Sequence, residues 1–334
     1  MTRLVYAEGG PVERGRQLGR ALGDLVDRSL AFYRACLGLG PAQLARALAP
    51  YRAAAERRLP SLVAMLDALA EGAEADPTEL FAVNAFEELD VLLERSAIPV
   101  ERCTTFTAVA PGATILAHSE HWLAGDAGNV AFVVERPDDG SPALASPTVA
   151  CCVPAVGMNT RRAAQGIDSL TALDDRPGVP RVLVSRHALE ATDREDAVKR
   201  AGLSGRAGGY GHVFAFAGGA TLTVETTAER LAVLDESSGH TNHYLDPALA
   251  ELESGETDRS RTRYARLEEL LRTRAPRTPA DAMAILRDDD LAPASPEYAT
   301  LFAVVCEVES GRMWVASGDP RECPYEEVDL AGLF

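Results

Sequence analysis

The sequence predicts an α+β protein whose sheets are covered by helices. Apolar residues recur at helical spacing through the first hundred residues. From Cys103 onward the pattern changes to short runs rich in Val, Thr, Phe and Ala, punctuated by Gly and Pro. Helical spacing returns after Thr257 and strand-like runs after Leu301, giving the order helices, strands, helices, strands.

Leu18, Leu22, Leu25, Ser29, Phe32 and Cys36 share one face of a helix that starts near Glu13. Pro41, Pro50 and Pro60 divide the next stretch into further helices. Asp76-Pro77-Thr78-Glu79 combines an N-cap, a proline at the first helical position and a capping-box glutamate. Leu80, Val83, Phe86, Leu89, Val91 and Leu93 supply its buried face, and the helix is expected to end near Ala97-Ile98-Pro99. The first hundred residues are therefore expected to be all helical. Strands are predicted over 103–110 and 114–118, joined by a Pro111-Gly112 turn, and over 130–135 and 147–153, with 136–140 as a hairpin loop. Residues 168–175 form a polar link into a helix over 182–202. More strands come over 212–216, 221–226 and 230–235. Helices start at Thr257-Asp258 and Thr278-Pro279, and strands over 301–308 and 313–317 close the chain. It has no internal repeat.

The formal net charge of −17, from Lys+Arg 33 against Asp+Glu 50, argues against nucleic acid and anionic membrane as partners, since both need a basic face. No apolar run is long enough to span a bilayer, and the first residues lack a signal-peptide pattern, so a cytoplasmic location is expected. Six cysteines in 334 residues do not make a disulfide framework, and no Cys-x-x-Cys pair or His/Asp/Glu set has metal-ligand spacing. No metal and no cofactor are expected.

Cys103 stands where the helical pattern gives way to sheet. One reading is an ordinary core strand, because cysteine is among the most buried residue types. The other is a nucleophile masked inside a precursor and exposed as a new N-terminus when the Arg102–Cys103 bond breaks. A thiol with a reference pKa of about 8.5 is mostly protonated at neutral pH. The freed α-amine of Cys103, with a reference pKa of about 7.7–8.0, can act as its base.

Four separated stretches carry a resemblance. Gly9-Gly10-Pro11-Val12-Glu13-Arg14-Gly15 with Leu18-Gly19 opens the chain. Arg102-Cys103-Thr104-Thr105 comes next, then Gly157-Met158-Asn159 with Gly166-Ile167, then His240-Thr241-Asn242-His243-Tyr244-Leu245. Asp258-x-Ser260 through Arg263-x-x-Arg266-Leu267 and Gly318-Asp319-Pro320 match more weakly. In this order they resemble the isopenicillin N acyltransferase (acyl-CoA:6-aminopenicillanic acid acyltransferase) family of autoproteolytic N-terminal-nucleophile cysteine hydrolases. The resemblance implies a four-layer αββα sandwich, with residues 1–102 as a helical pro-segment that becomes a small subunit and residues 103–334 as the catalytic core. It implies Cys103 as nucleophile, with Arg102 and Cys103 flanking the cleavage site, and Asn242 as the amide donor to the tetrahedral intermediate. Asn159 is expected to orient the amine or the oxyanion, and Thr105 to assist maturation. His118, Glu120, Trp122 and Tyr244 are expected to bind substrate, and acyl-CoA is a conceivable co-substrate.

The chain departs from that pattern twice. His118-Ser119-Glu120-His121-Trp122 carries His121 where relatives place an Asp that accepts a hydrogen bond near the amine, with Glu120 or Asp126 as substitutes. Pro296-Glu297-Tyr298-Ala299-Thr300 lacks the arginine that relatives carry there, although Arg287 precedes it. The expected function is an autoprocessed amidohydrolase or acyltransferase acting on a small acylated amine, amide or thioester in secondary metabolism. Its partners would be that small molecule and, for each cleavage fragment, the other fragment. The alternative is a degenerate relative that binds a ligand or partner without catalysis.

Overall fold

The computed structural model describes residues 3–92, 103–235, 238–292, 296–330 and 332–333. The chain opens on strand β1 (Arg3–Gly9), followed by helices α1 (Pro11–Leu37), α2 (Pro41–Arg58), α3 (Pro60–Gly72), α4 (Pro77–Val83) and α5 (Phe86–Leu92). The expectation of an all-helical start is thus corrected at β1. Its alternation of exposed and buried residues in Leu4-Val5-Tyr6-Ala7 is too short to stand out before a 27-residue helix. Pro50 sits inside α2 and does not end it. Asp76 caps α4 as expected, accepting hydrogen bonds from Thr78 N and Glu79 N. The Glu79 carboxylate instead forms a two-pronged pair with Arg34 of α1, at 2.8 and 2.6 Å. The expected helix end at 97–99, and Leu93, lie outside the described residues, as does Arg102.

Beyond the helices lie two sheets. The first has eight strands in the order β1-β4-β5-β6-β7-β8-β9-β10, built from β4 (Val130–Pro137), β5 (Leu144–Val149), β6 (Gly157–Asn159), β7 (Ala163–Leu170), β8 (Gly209–Phe216), β9 (Ala220–Thr226) and β10 (Leu231–Leu234). The second has six, in the order β11-β2-β3-β12-β13-β14, from β2 (Thr104–Ala110), β3 (Ala113–Leu123), β11 (Gly239–His240), β12 (Tyr298–Glu307), β13 (Arg312–Ala316) and β14 (Glu326–Val328). All pairings are antiparallel except β1 with β4. The helix expected over 182–202 is two helices, α6 (Arg181–Ala188) and α7 (Arg194–Ala201), because Asp193 caps a new start by accepting from Asp196 N. A short α8 (Pro247–Ala250) precedes α9 (Asp258–Arg274) and α10 (Pro279–Leu286).

Side-chain alternation assigns the layers. Phe214, Phe216 and Ala163 pack with Ala188, Ala197 and Ala201 of α6 and α7. Phe106, Ala303 and Val305 pack with Leu267, Leu270 and Ile285 of α9 and α10. The opposite faces of the two sheets meet. Gly166 of β7 lacks a Cβ because one built there would stand 2.5 Å from Thr105 Cγ2 and 3.2 Å from His118 Nδ1. The arrangement is a four-layer αββα sandwich, with α6 and α7 outside one sheet and α9 and α10 outside the other.

Residues 3–92 are bound firmly to this core. Arg14 Nε meets Glu135 Oε2 at 3.1 Å, Ser29 donates to Asp126 at 2.5 Å, and Arg181 Nε meets Glu88 Oε1 at 2.9 Å, all buried. Asn84 donates to Cys151 O and accepts from Val153 N. Asp126 is therefore occupied at α1, and the expected substitution for the missing Asp by Asp126 is corrected.

Candidate active site

Cys103 lies immediately before β2, directly facing β7 across the sandwich. Its backbone N–H donates to Asn242 Oδ1 at 2.9 Å. Its Sγ lies 3.5 Å from Glu120 Oε1, the thiol donating to the carboxylate. Glu120 Oε2 is 3.2 Å from His118 Nε2, and His118 Nδ1 is 2.9 Å from Thr105 Oγ1. Period-two alternation makes this chain of groups possible, since His118 and Glu120 point to one face of β3 and Cys103 and Thr105 to the same face beside them. Thr105 therefore reaches the thiol through His118 and Glu120. The sulfur is buried, and burial, followed by the negative charge of Glu120 and then of Asp168, pushes its pKa well above the ordinary thiol range. A backbone hydrogen bond from His121 works in the other direction.

His240-Thr241-Asn242-His243 forms a tightly fastened turn. His240 Nε2 meets Glu225 Oε1 at 3.0 Å, Thr241 Oγ1 donates to Ser260 O, and His243 Nδ1 lies 2.9 Å from Ser260 Oγ. Ser260 belongs to α9, and Arg263 projects from the same helix less than one turn on. Its Nη2 donates to Asn242 Oδ1 at 2.6 Å and to Cys103 O at 3.1 Å, and its Nε to Thr104 Oγ1 at 3.1 Å. Arg263 of α9 thus places a guanidinium against Cys103, although residues 296–300 hold no arginine. The sequence offered Arg263 only as part of a weakly matching stretch with no role assigned, its signal being the Ser260-x-x-Arg263 spacing.

Asn242 meets the Cys103 nitrogen through its carbonyl oxygen, which orients that residue, while one N–H of its Nδ2 donates to Ser169 O at 3.1 Å. Two expectations are corrected. Asn159 is not at the nucleophile. It pairs with Ala163 and shares that residue's outward face, donating to Leu189 O and Ala191 O at 2.7 and 2.8 Å and accepting from Arg161 N. The His121 ring turns away from the sulfur, as the odd positions of β3 must. It stacks on Tyr298 and places Nδ1 3.3 Å from Thr300 Oγ1, its registered partner on β12. At the position where relatives place an Asp, this chain pairs His121 with Thr300.

A pocket of about 100 Å³ adjoins Glu120. Tyr33, Val83 and Phe86 from the helices before Cys103 line it together with Trp122, Ile167 and Phe302. Trp122 Nε1 donates to Tyr33 OH at 2.7 Å, and the Tyr33, Phe86 and Trp122 rings meet edge-on. Glu120 and Trp122 line the pocket. His118 and Tyr244 do not: His118 is wholly buried in the chain of groups above, and Tyr244 donates to Thr226 O. Among the described residues, the donor atoms of Cys103, His118 and Glu120 lie within 4.8 Å of one another, so the one set able to hold a metal ion includes Cys103.

A profile of the acyl-coenzyme A:6-aminopenicillanic acid acyl-transferase family matches residues 110–322. The chain belongs to that family. The matched span holds Glu120, Asn242 and Arg263 and begins just after Cys103. Solved structures of low identity resemble this chain, two of them at TM-score 0.50. A mutant of conjugated bile acid hydrolase from Clostridium perfringens is 12% identical, with TM-score 0.50 and coverage of 68% of this chain and 92% of that one. A second variant of the same hydrolase gives 13%, 0.50, 68% and 92%. Penicillin V acylase from Agrobacterium tumefaciens is 14% identical at TM-score 0.44, covering 64% of this chain and 83% of its own.

Two results are expected of this acyl-transferase family site. Asn242→Ala removes the acceptor that fixes Cys103 N, and misplacement on that scale lowers turnover on the order of 10²-fold, read from initial rates on mature protein. His240, held between Asp168 and Glu225, has its pKa pushed up to about 9. Its stabilisation is complete below an unfolded value of about 6.5 and is lost as pH rises through 9. The denaturant midpoint of the wild type minus that of His240→Gln therefore narrows between pH 6.5 and 9.

Proposed function

We propose that the protein is an autoprocessing N-terminal-cysteine enzyme that cleaves or transfers the acyl group of a small amide, acylated amine or thioester through an acyl-Cys103 intermediate. The observation that carries this reading is the placement of one residue's two reacting groups, Cys103 N on Asn242 and Cys103 Sγ on Glu120. In the uncut chain the nitrogen is an amide and cannot act as a base, so Glu120, braced by His118, takes the thiol proton. The sulfur attacks the Arg102 carbonyl carbon, a C–S bond forms, and the C–N bond breaks as Cys103 N gains a proton. Water then hydrolyses the thioester, leaving the Arg102 carboxylate, a free thiol and an α-amine. In turnover the amine takes the thiol proton, the substrate acyl group passes to sulfur, and its amine or thiol leaves with that proton. Water or a second amine completes the cycle.

The pocket supports a compact apolar acyl group, since aromatic and aliphatic side chains dominate its walls. Its walls draw on residues from both sides of the cleavage point, which supports two fragments that stay together. The His121–Thr300 pair at the position where relatives place an Asp favours a second reading, a relative that binds without turnover. Mature protein is incubated with acyl thioesters and acylated amines of graded chain length and its mass is measured. An added acyl mass on the fragment beginning at Cys103, released by hydroxylamine, is expected. No adduct with any donor, together with saturable donor binding, would favour the binding reading.

A further inference from the structure

Cleavage creates an ammonium group inside a buried site, and the contacts of the uncut chain do not satisfy it. Asn242 Oδ1 already accepts from both Cys103 N and Arg263 Nη2. The residue in the position of the family's acceptor, His121, turns its ring to Thr300. On the facing sheet stands Asp168. Gly166 of β7 lies against Thr105, so Asp168, two residues along the strand, shares the inward face that Cys103, two residues back from Thr105, also presents. After burial and Glu120, its negative charge is among the influences that raise the Cys103 thiol pKa.

Asp168 is wholly buried, and neither carboxylate oxygen has a hydrogen bond among the described residues. His240 Nδ1 approaches Oδ2 at 3.5 Å, an ionic contact without hydrogen-bond alignment. Glu225, by contrast, is saturated by His240 Nε2, Leu245 N and Asp246 N. Two carboxylates therefore share one imidazole, and the carboxylate nearer the nucleophile is the one left unbonded. A buried carboxylate without hydrogen-bond donors is costly, so its presence calls for a functional explanation.

We propose that Asp168 receives the α-ammonium of Cys103 once the chain is cut, and so does the work that an Asp does in relatives at the position of His121. The inference rests on the autoprocessing reading above. No bond changes in this step: the nitrogen freed from Arg102 directs one N–H to Asn242 Oδ1 and another to Asp168. The remaining charged or titratable groups facing that nitrogen are Glu120 and His118 of β3, His240 of β11, Glu225 of β9 and Arg263 of α9.

The test titrates the α-amine of cleaved full-length protein by ¹³C reductive methylation and NMR, beside the pH profile of acyl transfer. Asp168→Asn is expected to self-cleave, with the amine and the acid limb of kcat/KM titrating at lower pH by about one unit or more, and Asp168→Glu to restore both. A structural role alone would lower the rate without moving the limb. An amine that titrates identically in the wild type and Asp168→Asn overturns the inference while leaving autoprocessing intact. A wild-type chain that never cleaves overturns both. If Asp168→Asn does not fold, a structure of the cleaved wild type decides. An α-nitrogen within hydrogen-bond distance of Asp168 supports the inference, and one beyond about 4 Å ends it.

Discussion

Cys103→Ala is expected to leave a single uncut chain of unchanged fold and to abolish acyl transfer. The side chain loses one sulfur atom from a site whose other contacts (Cys103 N to Asn242, Cys103 O to Arg263) are made by backbone and survive the change. Folding is therefore preserved, and the loss reports chemistry. Removing the nucleophile of a nucleophile-and-base unit costs on the order of 10⁶-fold in turnover. Intact mass and initial rates on the same preparation read both effects. A Cys103→Ala chain that still divides between residues 102 and 103 would assign the scission to an outside protease.

Glu135→Leu is expected to have the largest effect on stability. Glu135 is fully buried, and its Oε2 accepts from Arg14 Nε at 3.1 Å and Arg186 Nη2 at 2.9 Å. Arg14 comes from α1, before Cys103, and Arg186 from α6, so one carboxylate joins the segments on either side of Cys103. Its loss leaves two buried guanidinium groups facing each other. Arg186 keeps Glu190 at 2.7 Å, whereas Arg14 keeps, among the described residues, the Gly9 carbonyl at 2.6 Å. Breaking a buried pair from one side typically costs about 3–5 kcal/mol. The shift is read from denaturant midpoints, and in cleaved protein the small fragment should separate on gel filtration. A change under about 1 kcal/mol would show that the apolar contacts of α1 hold the fragments by themselves.

Much of this architecture was legible in the chain. The change from helical to strand period at Cys103 marks the boundary between α5 and the sheets because the two periodicities differ wherever one face is buried. The order of the four matching stretches placed Cys103 and Asn242 in one site before any fold was known. What stayed hidden has physical reasons. β1 is seven residues long and pairs only at a sheet edge, so its pattern carries little signal. Residues 168–175 looked like a polar link because Asp168 and Ser169 are polar, yet both lie in β7 facing polar partners. A buried carboxylate cannot be told from a solvated one by sequence. Asn159 and His121 failed for one reason: their places in the chain were right, but strand alternation turns their side chains away from the sulfur. Arg263 lies 160 residues from Cys103 and meets it only when α9 packs on the six-stranded sheet.

Scission of the chain at its own nucleophile underlies every catalytic step proposed for this site. Intact mass with N-terminal sequencing of freshly purified wild-type protein tests it directly. Two fragments that co-purify are expected, the larger beginning at Cys103. A single 35.6 kDa chain that stays whole on prolonged incubation, with the Cys103 thiol unreactive toward every acyl donor, would contradict it.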